Sequence, residues 1–225
     1  MEIQYGLQIG VKFNSDGTPI KYPGNTVIAD VGKENPAYAV LHQISSRLRQ
    51  VKFNDCFIFL PENSYHVTII RGMNDKVRIP GFWPPELALD TPMDQVDDYF
   101  AAAAGAVPVS ADIRMKFVRL QINGDDVRVC LKPADMEQEQ LLKDYRSQVA
   151  QRLGFQLPGH DEYIYHVTMA YILKLPGLEY QHQLHEIEES INSCLREQDC
   201  FYLSRPCLAY YNDMMQFHPQ RFPRM

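Results

Sequence analysis

The chain has 225 residues, of which 45% are hydrophobic and 22% charged, with a formal net charge of −6. This ordinary globular usage excludes disordered and collagen-like chains, and no apolar run approaches the roughly 20 residues of a membrane helix. An acidic balance argues against a general binder of long nucleic acid and is compatible with a small anionic substrate held by a few local groups.

In chain order, residues 3–13 and 26–31 are strand-like, separated by turn signals at 14–17 and 23–25. Asn35 caps a predicted helix and Pro36 suits its first position. Ala37, Val40, Leu41, Ile44, Leu48 and Val51 then share one helical face. Two apolar runs, 56–60 and 65–70, joined by Pro61-Glu62-Asn63-Ser64, predict a hairpin. Residues 72–110 read as an inserted connection. It holds Pro80, Pro84, Pro85 and Pro92, the sole tryptophan Trp83, and a short helix with Thr91 as cap and Pro92 first, ending before Gly105.

The order then repeats. Strands at 113–122 and 127–131 flank Asn123-Gly124-Asp125, a hairpin signal. Asp135 caps a helix with Leu141, Leu142, Tyr145, Val149 and Leu153 on its apolar face, and Gly154 stops it. A strand at 163–173 follows, then a helix with Leu184, Ile187, Ile191 and Leu195 on one side, and a last strand at 201–211. The expected fold class is α+β: a single bilobal domain over 1–225, with two pseudo-symmetric halves of mostly antiparallel sheet at about 1–71 and 111–173, outer helices and a central groove. Residues 72–110 are inserted, and 178–212 supply the final helix and strand.

Two tetrapeptides are identical: Tyr65-His66-Val67-Thr68 and Tyr165-His166-Val167-Thr168. A repeated four-residue word proves little alone. Here each copy follows a helix and an extended Leu-Pro segment (Leu60-Pro61, Leu157-Pro158) and sits in an apolar strand. In a strand, i and i+2 share a face. His66 and Thr68 therefore point one way while Tyr65, Val67 and Ile69 point into the core. His166 and Thr168 oppose Tyr165, Val167 and Met169 in the same manner. Two imidazoles facing each other across a groove suit phosphodiester chemistry. Near neutral pH one can be neutral and take a proton from the attacking oxygen, while the other, protonated, gives one to the leaving oxygen. The threonine hydroxyls can donate to non-bridging oxygens. The competing reading is a pair of structural histidines satisfied by neighbours.

The doubled His-x-Thr in a bilobal α+β chain resembles the 2H phosphoesterase superfamily, which includes 2′-5′ RNA ligase-like proteins and cyclic nucleotide phosphodiesterases. Asp16-Gly17-Thr18-Pro19, Pro23-Gly24-Asn25-Thr26 and the segment from Asn212-Asp213-Met214 to Phe217 resemble a bacterial and fungal branch of it. The resemblance implies that His66, Thr68, His166 and Thr168 line the groove as catalytic residues, that no metal or cofactor is required, and that the substrate is a 2′,3′-cyclic phosphate or a related nucleotide or RNA-end phosphodiester. A non-catalytic nucleotide or RNA-end binding module, or an RNA-end ligase, is the alternative. The long 72–110 insertion and the acidic balance depart from better-known members.

Further candidates for substrate binding are Arg71, able to reach a phosphate with two parallel bonds, Asn25 and Thr26 after the Pro-Gly turn, and Tyr22. Tyr22, Phe82 and Trp83 are able to stack on a base, though packing explains each as well. His182 and His185 lie at i and i+3 but lack a third metal ligand. His160 and Asp161 read as loop residues. The five cysteines form no C-x-x-C pair; Cys194, Cys200 and Cys207 lack zinc spacing and are expected to be buried thiols. The chain start lacks a signal-peptide pattern, so a cytoplasmic location with no membrane association is expected. No P-loop, G-x-G-x-x-G or G-x-S-x-G motif is present. The oligomeric state is not legible.

Overall fold

A computed structural model describes residues 3–108 and 113–220 of the chain. Among the described residues two antiparallel sheets lie side by side with four α-helices. The strands are β1 Gly24–Asp30, β2 Phe57–Phe59, β3 His66–Asn74, β4 Arg114–Ile122, β5 Asp126–Pro133, β6 His166–Ile172, β7 Phe201–Tyr202, β8 Cys207–Tyr211 and β9 Phe217–Gln220. The helices are α1 Pro36–Arg49, α2 Met93–Gly105, α3 Met136–Leu153 and α4 Gln181–Arg196. The first sheet runs β3-β1-β8-β9 and the second β2-β6-β5-β4-β7. The fold is thus α+β and bilobal, as expected.

Local chemistry sets several boundaries as predicted. The Asn35 side chain accepts from the Ala37 N–H at 3.0 Å, and Pro36 occupies the first turn of α1. Asp135 accepts from the Gln138 N–H at 3.0 Å, and Gly154, with φ +70°, ends α3 in the left-handed conformation that glycine adopts without strain. In the β4–β5 turn, Asn123 Oδ1 accepts from the N–H groups of Asp125 and Asp126 at 2.7 and 3.0 Å. The alternation within the motif strands also holds. Val67 and Ile69 on β3, with Val167 and Met169 on β6, are buried in one continuous core. Each such aliphatic side chain stabilises the fold by about 1.5–3 kcal/mol.

Other expectations change. β2 does not form a hairpin with β3; it pairs with β6, Phe57 opposite Ile172 and Phe59 opposite Ala170. Residues 62–64 form a single 3₁₀ turn between extended residues, with no positive φ. Such a link carries the chain across to the other sheet rather than reversing it. Residues 201–211 are not one strand. Residues 203–206 separate β7, on β4, from β8, on β1. Residues 3–13 form turns and isolated bridges rather than a strand. Thr91 does not cap α2, whose first turn begins after Pro92 without a side-chain cap. Cys194 and Cys200 are exposed and Cys207 is half-buried: Cys194 is not on the face of α4 that buries Ile191, Asn192 and Leu195, and Cys200 lies in the link between α4 and β7. Among the described residues no helix is long and apolar enough to cross a membrane.

Candidate functional site

The register of the motif strands decides what faces the groove. On β1, Asp30, Ile28 and Thr26 stand opposite His66, Thr68 and Arg71. Three alternate residues of one strand thus meet positions 66, 68 and 71 of the other, so one extra residue of β3 is absorbed by a bulge at Ile69-Ile70. Both isoleucines are buried, and Arg71 returns to the face that carries His66 and Thr68. β6 repeats the device. Cys130, Arg128 and Asp126 of β5 oppose His166, Thr168 and Tyr171, with the bulge at Met169-Ala170. Strands β3 and β6 come within 8 Å of each other, Cα to Cα. The two His-x-Thr faces therefore flank one groove.

The two imidazoles are held alike. His66 Nδ1 lies 2.7 Å from the Ser64 carbonyl and His166 Nδ1 lies 2.9 Å from the Ile164 carbonyl, each two residues upstream. A carbonyl only accepts, so each Nδ1 carries the proton and each Nε2 is left for other work. The Phe217 ring packs on His66 at 4.2 Å between centroids. The electrostatic settings differ. Burial pushes His66 down to about 4, against the Ser64 bond that favours its charge, and the nearby His166 adds repulsion. Burial also lowers His166. The Ile164 bond and Asp126 favour its charged form, while Arg128 and Lys12 oppose it.

Cations and hydroxyls surround the pair. Arg128 donates from Nε and Nη2 to the two oxygens of Asp126 at 2.5 and 2.7 Å. Burial works against the Arg128 charge, but the Asp126 bonds outweigh it and raise its pKa. Lys12 Nζ sits 5.1 Å from the Tyr171 ring centroid and 5.7 Å from that of Tyr22. Burial lowers its pKa against the pull of Asp126 and Asp125, and Arg71 and Arg128 lower it further. Among the described residues neither Lys12 nor Arg71 has a carboxylate within 4 Å. The Tyr163 hydroxyl lies against Thr68. The Asp16-Gly17-Thr18-Pro19 segment is a turn in which Asp16 accepts from the Thr18 N–H and hydroxyl. Beyond it the Ile20 N–H donates back to the Lys12 carbonyl at 2.8 Å, which holds Lys12 at the groove. The segment after Asn212 turns through an Asp213–Met215 bond and delivers Phe217 to His66.

Of the sequence-derived candidates, His66, Thr68, Arg71, His166, Thr168 and Tyr22 are brought together. Asn25 and Thr26 are not available to a ligand. Asn25 is fully buried; its amide donates to Asp97 Oδ1 at 2.8 Å and its Oδ1 accepts from the Met73 N–H at 2.9 Å. Gly72 packs so close to Asn25 that a Cβ there would collide with it. Thr26 is buried, with its hydroxyl donating to the Ile70 carbonyl at the bulge. Trp83 is buried under the Arg78 guanidinium, away from the groove. His182 only meets the exposed Glu186 on its own helix. Among the described residues no three His, Cys, Asp or Glu side chains stand together as a metal site. Lys12, Arg128, Tyr163 and Tyr171 were not singled out from sequence. A charged residue inside each of the apolar runs Val11-Lys12-Phe13 and Val127-Arg128-Val129 was the available signal.

Two sheets carrying matched His-x-Thr strands around one groove define a 2H phosphoesterase-type protein. A family model for 2H phosphodiesterases, described as a domain of unknown function (DUF1868), matches residues 12–125, and the chain belongs to this family within the 2H phosphoesterase superfamily. The conserved protein of unknown function ATU0111 from Agrobacterium tumefaciens str. C58 has a similar structure: TM-score 0.88 and 23% identity, over 98% of this chain and 94% of that one. E. coli LigT complexed with 3′-AMP is similar at TM-score 0.52 and 10% identity, over 89% of this chain and 96% of that one. Apo E. coli LigT gives 0.50 and 11%, over 90% and 96%. At these identities the likeness is one of fold. No curated protein matches the chain.

Proposed function

We propose that the chain is a metal-independent phosphodiesterase that hydrolyses a cyclic or nucleotide-linked phosphodiester, of the 2′,3′-cyclic phosphate type, by paired-histidine acid–base catalysis. The observation that carries this reading is the matched pair of imidazoles, each with Nδ1 tied to a carbonyl two residues upstream and Nε2 left unengaged. Structural histidines would not need the same tautomer, the same neighbouring threonine and the same bulge in both halves. LigT, complexed with 3′-AMP, supports a small nucleotide-type ligand.

The deeper burial of His66 favours it as the base and His166 as the acid. His66, held neutral by burial, takes a proton from water as its oxygen attacks phosphorus. His166, whose charged form Asp126 favours, gives a proton to the leaving oxygen as the P–O bond breaks. One proton is taken and one delivered, and exchange with solvent resets both rings. Thr68 and Thr168 donate to non-bridging oxygens, and Arg71, Arg128 and Lys12 supply positive charge where negative charge gathers. The direct test is a panel of 2′,3′-cyclic nucleotides, cyclic phosphates of the ADP-ribose type and short RNA ends, assayed in excess EDTA with His66→Ala/His166→Ala as the blank. Turnover that requires both histidines is expected. Tight binding without turnover across the panel would overturn hydrolysis in favour of a binding role.

A further inference from the structure

Beside the groove, a second cleft opens between α3 and residues 155–163. Arg71 belongs to both: it shares a face with His66 and Thr68 and also lines the cleft. The polar side chains lining the cleft are Arg71, Arg146, His160 and Tyr163, and no carboxylate lines it. Arg146 is 5% exposed. It donates to two main-chain carbonyls, Ile69 at 2.7 Å and His160 at 2.8 Å, and lies 4.3 Å from the Tyr163 ring centroid. None of these partners neutralises it, and among the described residues no carboxylate lies within 4 Å of it. A buried cation without a counter-charge is costly. Burial lowers the Arg146 pKa; Tyr165, Tyr163 and the more distant Asp161 favour its charge, while a second guanidinium, Arg71, repels it. A chain with a net charge of −6 has placed two guanidiniums, neither within 4 Å of a carboxylate among the described residues, at one cleft.

We propose that this cleft is a subsite for a second anionic group on the substrate, a phosphoryl-type oxyanion carried by the same molecule as the scissile phosphodiester. The free room is about 30 Å³. A single water needs about 10–15 Å³ by this measure, so the cleft suits an oxyanion head and is too tight for a fused-ring base. One phosphodiester carries a single negative charge, which the histidines, threonines, Lys12 and Arg128 already answer in the groove. Arg146, which does not reach the groove face, is therefore surplus to that group. Arg71, between the two, would bridge the scissile phosphate and the second anion through its planar fork. The naming of the substrate rests on the phosphodiesterase reading, whereas the anion site in the cleft does not.

The test titrates inorganic phosphate into the full-length protein by calorimetry. The wild type should bind two phosphates per chain and His66→Ala/His166→Ala should keep one. Ala150→Met fills the cleft from α3 and should weaken that remaining phosphate by about 10-fold or more. His160→Gln, which preserves the main-chain carbonyl that Arg146 uses, gives the same direction more weakly and serves if Ala150→Met fails to fold by circular dichroism. In a parallel assay, a nucleoside 2′,3′-cyclic phosphate that also bears a 5′-phosphate should exceed its unphosphorylated counterpart by about 10-fold in kcat/KM, a preference that Ala150→Met abolishes. The proposal is overturned if the double histidine variant binds no phosphate, or if both cleft variants bind it as the wild type does. Retained cleft binding with no turnover of either nucleotide would instead defeat the phosphodiesterase reading and leave the anion site standing.

Discussion

Arg71 and Tyr171 are structural counterparts: each lies five residues after its histidine, and a bulge brings each onto the histidine's face. The two motif strands thus share geometry while dividing chemistry, with a guanidinium on β3 and an aromatic ring near Lys12 on β6. That division makes the groove lopsided.

Single replacement of His66 or His166 by alanine should lower kcat by about 10²–10⁴-fold on an authentic cyclic phosphate, the usual contribution of a positioned proton donor or acceptor. The double variant should lose little beyond the worse single one, since the two act in a single step. Steady-state kinetics in EDTA, with circular dichroism to confirm folding, measure this. Near-wild-type rates in both single variants would sink the assignment.

The rate should peak on the acid side of neutrality. His66 must be neutral, and its pKa lies at about 4; His166 must be protonated, and burial holds it below 6.5. A plot of kcat/KM against pH should rise around pH 4 and fall before or near pH 6.5. His66→Ala should erase the acid limb. A profile flat from pH 4 to pH 7 would contradict the assigned roles.

Stability should follow the same ring. The folded pKa of His66, about 4, lies below its unfolded value of 6.5. Above pH 6.5 the ring is neutral in both states and costs nothing. As pH falls from 6.5 to 4 the unfolded chain binds a proton that the folded one refuses, so folding weakens by up to about 3 kcal/mol. Urea midpoints measured at pH 7 and pH 4.5 should show a drop that is smaller in His66→Gln.

Arg71→Met should reduce kcat/KM by about 10–100-fold while leaving the urea midpoint nearly unchanged, because the side chain is exposed and has no carboxylate partner. Arg71→Lys should recover only part of the loss, since a point charge lacks the planar fork. An unchanged KM and kcat in Arg71→Met would remove this residue from substrate binding.

Asn25→Ala should do the reverse. It strips the Met73 N–H and the Asp97 carboxylate of their buried partner. A loss of about 2–4 kcal/mol in stability is expected, with kcat kept within a few-fold. A large fall in kcat without destabilisation would return Asn25 to the substrate.

The facing of the motif residues was legible because strand alternation is local: His66, Thr68, Val67 and Ile69 sort onto two faces without knowledge of any partner. The bulges were hidden. Nothing in Ile69-Ile70 or Met169-Ala170 marks an extra residue, because a bulge is a property of register between two strands. Simple counting from His66 would have aimed Arg71 into the core. The partner of β2 was hidden for the same reason; pairing with β6 depends on residues more than 100 positions away. Asn25 and Thr26 were misread because polar residues after a Pro-Gly turn look the same whether they greet a ligand or satisfy a neighbouring backbone.

The crossing of β2 into the sheet of the second half, and of β8 into that of the first, has one last effect. Each lobe is laced to the other by a borrowed strand, so the chain itself crosses the seam between the sheets more than once. Cutting the chain between its two halves would leave each fragment with a missing rib.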